Sequence, residues 1–162
     1  ERLLYLRKLK DFLEADPLDM GEFERQFEVK FVCKPWRVSG KICDYRMDEV
    51  RWPYSVFGEP TNKVSYAMYG DGSNDSLWIS LLYNGNPGAH NCITGEMVRQ
   101  VFAPPDWIAE VGVAKSQGTR LNQILLLAVE GRDRLQRRIT LVSAGVQGCT
   151  GTLQITIPPN KP

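Results

Sequence analysis

Two short stretches of the chain have similar sequences, and this repeat limits the folds that the chain can adopt. Residues 21–27 and residues 95–101 share Gly, Glu, Arg and Gln at the same spacing, with apolar residues at the third and seventh places. Asp19 and Thr94 precede them as candidate helix caps, and several runs typical of β-strands follow each stretch. The simplest interpretation is a duplicated unit of one helix and one sheet.

Three segments have the apolar spacing of amphipathic helices. Residues 3–13 carry Leu or Phe at every third or fourth position, and Asp16-Pro17 then interrupts the pattern. Residues 20–27 follow, with Asp19 and Glu22 spaced as a reciprocal cap. The third helix is predicted over residues 95–102, before Pro104-Pro105.

Eight further segments are predicted strands, four in each half of the chain. Turn residues separate them, and the strongest break is Asn-Gly-Asn-Pro-Gly at residues 84–88. We therefore predict an α+β fold: a tandem repeat of helix plus four-stranded antiparallel sheet, with an extra N-terminal helix. The predicted units are residues 1–15 for that helix, residues 16–86 for the first repeat and residues 87–162 for the second.

Composition excludes several partners. In a chain of 162 residues, 20 basic and 19 acidic residues leave a net charge of +1, which provides no general field for nucleic acid or an anionic membrane. The one basic cluster is interpreted as a solvated hairpin: Arg132, Arg134, Arg137 and Arg138, with Asp133 and Leu135 between them. The longest apolar run, residues 124–129, is too short to span a bilayer. Because the chain starts at Glu1, we expect a mature exported protein whose leader or lipid anchor lay upstream.

The four cysteines predict two disulfides. Cys33 and Cys43 flank a hairpin with Ser39-Gly40 at its bend, so their side chains should face each other. Four cysteines allow three connectivities, and we choose Cys33–Cys43 with Cys92–Cys149 because it staples each half within itself. Disulfides indicate a periplasmic or secreted protein. Zinc is disfavoured because no Cys-x-x-Cys occurs and His90 is the only histidine.

Few residues suggest catalysis. Cys149, in a tight Gly-Cys-Thr-Gly turn, could act with His90 as a cysteine hydrolase, but its expected disulfide argues against a free thiol. Asp71, Asn74 and Asp75 resemble a calcium loop only loosely, and a hairpin turn explains them better. No phosphate loop or nucleophile elbow occurs, so no cofactor, metal or enzymatic activity is predicted.

Aromatic residues interleaved with arginines are the one feature that points to a binding site. Between Lys34 and Tyr54 the chain alternates Trp and Tyr with Lys and Arg, a composition typical of protein interfaces. Core packing explains the same residues equally well. The predicted partner-binding residues are Trp36, Tyr45, Arg51, Trp52 and Tyr54.

The layout resembles the β-lactamase inhibitory protein family and the related single-unit fold of outer-membrane assembly lipoproteins. A unit of that family opens with Gly-Met-Thr, three variable residues and Val, followed by an apolar turn and Gly. Residues 94–103 match at Thr94, Val98 and the apolar turn, whereas Cys92-Ile93 and Ala103 depart from the pattern. Residues 19–27 match more loosely, with Phe23 where the family has Val.

The resemblance implies a protein-binding module without chemistry of its own. In that family the sheets form a concave surface that grips another protein through aromatic side chains. We therefore expect an exported inhibitor or immunity protein that blocks a bacterial cell-wall hydrolase or toxin by occluding its active site. The alternatives are an envelope assembly or scaffold subunit, and the Cys149/His90 hydrolase.

Overall fold

The computed structural model describes residues 2–46, 63–80, 92–109, 124–146 and 148–159. Helices α1 (Arg2–Leu13), α2 (Met20–Phe27) and α3 (Gly95–Val101) lie in these ranges, close to their predicted bounds. Asp19 and Thr94 cap α2 and α3, since their side chains accept hydrogen bonds from the backbone N–H groups three residues later, at 2.8 and 3.2 Å. These bonds satisfy donors that the first helical turn leaves unpaired.

Eight strands in the described ranges form one antiparallel sheet. The strands are β1 (Val32–Trp36), β2 (Gly40–Arg46), β3 (Lys63–Met68), β4 (Asp75–Ser80), β5 (Ile108–Ala109), β6 (Ile124–Arg132), β7 (Arg138–Val146) and β8 (Cys149–Ile157). Their spatial order is β1-β2-β3-β4-β8-β7-β6-β5.

The predicted fold class is wrong, because the strands do not divide into two four-stranded sheets, each with its own helix. Strand β4 pairs with β8 from Asp75↔Ile157 to Ser80↔Thr152, which joins all eight strands into a single sheet. As edges of separate sheets, β4 and β8 would each expose a row of unpaired backbone groups, and pairing satisfies both rows. The predicted boundary between residues 86 and 87 lies outside the described residues.

One hydrophobic core lies between the helices and the sheet. Phe23 stacks on Phe27 with ring centroids 4.2 Å apart and meets Phe12 edge to face at 5.0 Å. Alternate strand residues such as Leu77 and Ile155 belong to the same core. Burying an aromatic side chain of this size stabilises the fold by about 1.5–3 kcal/mol, so truncation of Phe23 would disrupt the packing of α1, α2 and the sheet together.

Trp107 joins the first helix to the second half of the sheet. Its indole ring lies on Gly131 of β6, where a β-carbon would come within 2.5 Å of the ring, so only glycine fits there. Its Nε1–H donates to Glu14 Oε1 at 3.1 Å, and Lys10 Nζ lies 3.0 Å from the same oxygen. The end of α1 is therefore fixed relative to β6.

Among the described residues, none of the helices is long and apolar enough to cross a membrane.

Candidate functional site

The sheet has one face covered by helices and one face that the described helices leave uncovered. The buried side chains of α1, α2 and α3 share a core with residues such as Tyr66, Leu77 and Leu153. Side chains alternate along a strand, so the residues between these positions point to the other side. We call that side the open face; its side chains include Val32, Lys34, Trp36, Ile42, Asp44, Lys63, Ser65, Ala67, Ser76, Trp78, Ser80, Ala128, Glu130, Thr140, Val142, Thr152, Gln154 and Thr156.

Short polar side chains dominate the middle of the open face, and Trp78 is the large exception. The register places Trp78 between Ser65 and Gln154 on the neighbouring strands. Trp78 is half-buried. Nearby, Ser65 Oγ donates to Asp44 Oδ1 at 2.5 Å, which orders that carboxylate. The result is a half-buried tryptophan among small polar neighbours.

At one end of the open face, Trp36, Arg37 and Tyr69 form what we call the tip cluster. The Trp36 and Tyr69 rings are 5.1 Å apart between centroids. The Arg37 guanidinium lies over both rings, 4.4 Å from the Trp36 centroid and 5.0 Å from that of Tyr69. Such cation–π contacts position a guanidinium without using its N–H groups as hydrogen-bond donors.

Two glycines lock the turns that carry the tip cluster. A β-carbon on Gly40 would lie 2.3 Å from the Met68 carbonyl oxygen, and one on Gly70 would lie 2.1 Å from that of Ser39. Ser39 Oγ also donates to the Tyr69 carbonyl oxygen at 3.1 Å. The β1–β2 turn and the turn after β3 therefore pack tightly together, and the tip cluster has a rigid base.

The β1–β2 hairpin is strongly basic. Residues 29–43 contain four cations and no acidic residue, in a chain whose net charge is +1; Asp44, the next residue of β2, lies 3.7 Å from Lys63. All four of these cations are exposed: Lys30, Lys34, Arg37 and Lys41. Arg37 makes no ion pair within 4 Å among the described residues. The hairpin thus presents exposed positive charge beside the tip cluster.

Asp71 is an acidic residue near this hairpin, and its carboxylate accepts hydrogen bonds from another residue of its own turn. Its Oδ1 accepts from the Ser73 backbone N–H at 2.9 Å and from the Ser73 hydroxyl. These two bonds lower the pKa of Asp71, and the charge of Arg37 lowers it further by a smaller amount. The predicted hairpin turn at residues 71–75 therefore has a local explanation.

The predicted partner-binding residues fall in three places. Trp36 belongs to the tip cluster. Tyr45 lies in the core, 6% exposed and with its ring centroid 4.9 Å from that of Phe31. Arg51, Trp52 and Tyr54 lie outside the described residues.

Tyr45 is therefore a correction to the predicted site. Its strand position places it on the helix side of β2, in phase with Cys43. Burial raises the pKa of Tyr45, and the nearby Tyr5 raises it further. A neutral, buried phenol contributes packing, not partner contact, so we leave Tyr45 out of the proposed surface.

Sequence reasoning missed Tyr69 and Trp78. The sequence of β4 did contain a signal for Trp78. Leu77 and Ile79 are the apolar residues on one side of the strand, whereas Trp78 lies on the other side with Ser76 and Ser80. A tryptophan on the polar side of a strand indicates an exposed aromatic residue. Tyr69 carried no such signal, since only the contact between two turns brings it to Trp36.

Both disulfides form with the predicted connectivity. Cys33–Cys43 links β1 to β2, and Cys92–Cys149 links the segment before α3 to β8. Cys43, Cys92 and Cys149 are fully buried, whereas Cys33 lies exposed on the edge strand. Two disulfides fit an exported protein, extracellular or periplasmic.

The candidate catalytic and metal residues do not assemble into a site. Cys149 is bonded to Cys92, so it offers no thiol, and His90 lies outside the described residues. Over the ranges that the structure describes, no three His, Cys, Asp or Glu side chains are grouped to hold a metal ion.

In the arginine-rich hairpin between β6 and β7, three of the four arginines pair with two acidic residues. Glu130 lies 3.2 Å from both Arg132 and Arg138. Arg137 Nε donates to the buried Asp133 carboxylate at 2.8 Å, and its Nη1 donates to the Pro159 carbonyl oxygen at 2.7 Å. These arginines serve the fold, in contrast to Arg37.

No protein-family model matches the chain, and neither the curated proteins nor the solved structures contain a significantly similar one. The function must therefore be argued from the open face itself.

Proposed function

We propose that this protein is a non-enzymatic, exported protein-binding module that blocks a bacterial cell-wall hydrolase or toxin as an inhibitor or immunity protein. One observation carries the proposal: Trp36, Tyr69 and Trp78 lie on or beside the open face, with Arg37 stacked on two of these rings. Trp, Tyr and Arg supply most hot spots of protein interfaces.

The dimensions of the open face suit occlusion of another protein. Eight strands at about 4.8 Å spacing span roughly 34 Å across the sheet. A face of that width can bury about 800 Å² on each partner, the amount found in stable complexes. In this mechanism the aromatic residues fill the target's cleft, and the short Ser and Thr side chains around Trp78 allow the target to approach closely.

The rigid base of the tip cluster supports the same proposal. A binding residue that is already held in place loses little side-chain entropy when the partner arrives. The paired turns around Gly40 and Gly70 provide that order before binding. Loosely held residues would lose more side-chain entropy on binding, and this loss would weaken the complex.

Capture from bacterial envelope and secreted fractions, with matched variants, tests the proposal. The oxidised protein is immobilised beside Trp78→Ala on the open face and Leu4→Ala on the exposed side of α1. We expect the wild type and Leu4→Ala to retain one hydrolase or toxin in near-stoichiometric amount, and Trp78→Ala to bind it at least about tenfold more weakly. The free protein should inhibit the retained enzyme.

Two results would contradict the proposal. Equal retention by Trp78→Ala and Leu4→Ala would remove the open face from the binding site. Retention of envelope assembly components, with no enzyme inhibited, would favour the scaffold alternative.

A further inference from the structure

We infer that the tip cluster is a carboxylate receptor, and that the partner docks an exposed Asp or Glu side chain against Arg37. This inference rests on the proposed function and names the chemistry of the partner's contact. It follows from two observations at Arg37: its cation–π contacts and its unused donors.

The stacking orients the guanidinium without consuming its hydrogen bonds. The guanidinium carbon of Arg37 lies over both aromatic rings, 4.4 and 5.0 Å from their centroids. The donors at the guanidinium edge match the two oxygens of a carboxylate in a bidentate pair. A held guanidinium loses less freedom on pairing than a mobile one.

The charge around Arg37 selects an anion. Residues 29–43 carry four cations and no acidic residue, and Asp44, which follows in β2, lies 3.7 Å from Lys63. Asp71 accepts hydrogen bonds from Ser73, and Arg37 makes no ion pair within 4 Å in the part of the chain that is described. An acidic partner would thus meet attraction on approach and an unpaired cation on contact.

The backbone at Arg37 provides a test of the inference. Its φ of 57° lies in the left-handed region, where side chains other than Gly are disfavoured. Glycine would suit this position better for folding alone, but glycine cannot make the contacts with Trp36 and Tyr69.

A folded protein is a better fit than a membrane for this contact. Trp36 is half-buried against Tyr69 and Arg37, so its ring is committed to the cluster. The tip cluster also continues into the open face, where Trp78 lies three strands away, roughly 14 Å across the sheet. An acidic protein that covers the open face could contact both the tip cluster and Trp78.

The decisive variant is Arg37→Gly, because it removes the receptor and relieves the backbone. We expect its thermal midpoint to equal or exceed that of the wild type, since relief of the left-handed residue offsets the lost stacking. Arg37→Lys keeps the charge without the bidentate geometry, and Arg99→Ala removes an exposed cation from α3 as a control.

A direct titration uses two blocked pentapeptides that differ in one residue, Gly-Gly-Glu-Gly-Gly and Gly-Gly-Gln-Gly-Gly. By NMR we expect the glutamate peptide to shift the Arg37 Nε–H and Trp36 indole N–H resonances of the wild type and of Arg99→Ala. The glutamine peptide should not shift them, and no glutamate-induced shift of the Trp36 resonance should occur in Arg37→Gly. Equal effects of the two peptides, or no effect of either, would overturn the inference.

Two further probes separate other anions. Larger shifts with inorganic phosphate than with the glutamate peptide at equal concentration would indicate a phosphate receptor and overturn the carboxylate assignment. Sedimentation with vesicles of phosphatidylcholine and phosphatidylglycerol, abolished by Arg37→Gly, would indicate a membrane contact and overturn it as well.

The captured partner separates this inference from the proposed function. We expect Arg37→Gly to weaken its binding about tenfold or more, Arg37→Lys to weaken it less, and Arg99→Ala to leave it unchanged. If Trp78→Ala weakens binding and Arg37→Gly does not, binding through the open face is supported and the carboxylate receptor is contradicted. If the peptide shifts occur but neither variant affects capture, the receptor stands and the proposed function fails.

Discussion

The β1–β2 turn and the β6–β7 turn each contain an arginine and a residue with left-handed backbone, yet they use the arginine differently. In the first turn Arg37 itself has a φ of 57° and is stacked on Trp36 and Tyr69. In the second, Gln136 has a φ of 63°, and Arg137 pairs with the buried Asp133. The N–H donors of Arg37 are available to solvent or a partner, whereas Arg137 donates to groups inside the protein.

The difference shows how to separate a structural arginine from a binding one. Asp133 Oδ1 accepts from the backbone N–H groups of Leu135 and Arg137, and its Oδ2 accepts from the Arg137 side chain. This network closes the turn without any outside group. The Arg37 turn is closed by glycine packing and aromatic contacts, so its charge is available. The hydrogen bonds that an arginine makes, and not its residue type, therefore indicate whether its role is structural or in binding.

The largest expected effect concerns the disulfides that staple the two halves. Cys92–Cys149 spans 57 residues and Cys33–Cys43 spans 10, so the former restricts the unfolded chain more. Replacing both cysteines by Ser should lower the free energy of unfolding by about 4 kcal/mol for the long loop and about 2.7 kcal/mol for the short one. Urea denaturation measures both, and an equal or reversed ranking would contradict the expectation.

Asp133→Ala should be the next largest effect, and it tests the comparison of the turns directly. It leaves two backbone donors and Arg137 without their acceptor, so we expect a loss of about 3 kcal/mol in the free energy of unfolding. Arg37→Gly should change the same quantity by less than about 0.5 kcal/mol. Asp11→Ala, at an exposed position on α1, is the matched control. Similar losses at Asp133 and Arg37 would abolish the distinction between the two turns.

Alkaline pH should destabilise the protein through three buried tyrosines of its core. Burial raises the pKa of Tyr5, Tyr45 and Tyr66 above the ordinary value of 10.0. Their contribution is complete below pH 10 and is lost as the pH rises, because the unfolded chain then releases protons that the folded one retains. At about pH 10.5 we expect a loss of roughly 0.8 kcal/mol for each tyrosine.

Tyr45→Phe sharpens this pH experiment. The Tyr45 hydroxyl has no hydrogen-bond partner among the described residues, so its removal breaks no bond there. Urea denaturation between pH 8.5 and about pH 10.5 should show a pH dependence reduced by about a third in this variant. An unchanged slope would mean that Tyr45 ionises freely in the folded protein.

The smallest expected effect concerns the outer edge of β1, next to the tip cluster. Cys33 and Cys43 have Cα atoms 4.0 Å apart, the spacing of a pair without backbone hydrogen bonds, so Cys33 and Pro35 direct their backbone groups outward. Pro35 has no N–H, and the Phe31 N–H donates to Glu24 Oε2 at 2.9 Å. The edge is thus protected against pairing with another strand.

Pro35→Thr should restore an outward donor and permit weak edge-to-edge association. We expect the sedimentation coefficient to rise only at the highest protein concentrations, with the free energy of unfolding changed by less than about 0.5 kcal/mol. Binding of the captured partner should be unaffected, because that contact uses side chains of the open face. Weaker partner binding would instead indicate that the partner adds a strand to β1.

The helices, the strands and the cysteine pairs were predictable because they depend on local order along the chain. The spacing of apolar residues and the caps at Asp19 and Thr94 located α2 and α3 almost to the residue. The bend at Ser39-Gly40 placed Cys33 opposite Cys43. Trp36 was predicted as a partner-binding residue from its neighbours in sequence, and its place in the tip cluster keeps it in the proposed surface.

Contacts between distant segments were not predictable in this way. Pairing of β4 with β8 converts two runs of four strands into one sheet, and nothing in either strand's own pattern selects that partner. Tyr45 and Trp36 have similar surroundings in the sequence, but the side of β2 that faces the helices buries Tyr45. Tyr69 meets Trp36 only because two turns pack together.

The sequence by itself determined the secondary structure, the staples and the basic character of the first hairpin, because periodicity, turn chemistry and charge act over a few residues. The tertiary structure alone decided which arginine pairs with a buried carboxylate, which aromatic residues are buried in the core and that the strands form one continuous sheet. Those outcomes depend on pairing and burial between segments far apart in the chain, where the free energy of satisfying a whole sheet edge outweighs local preference.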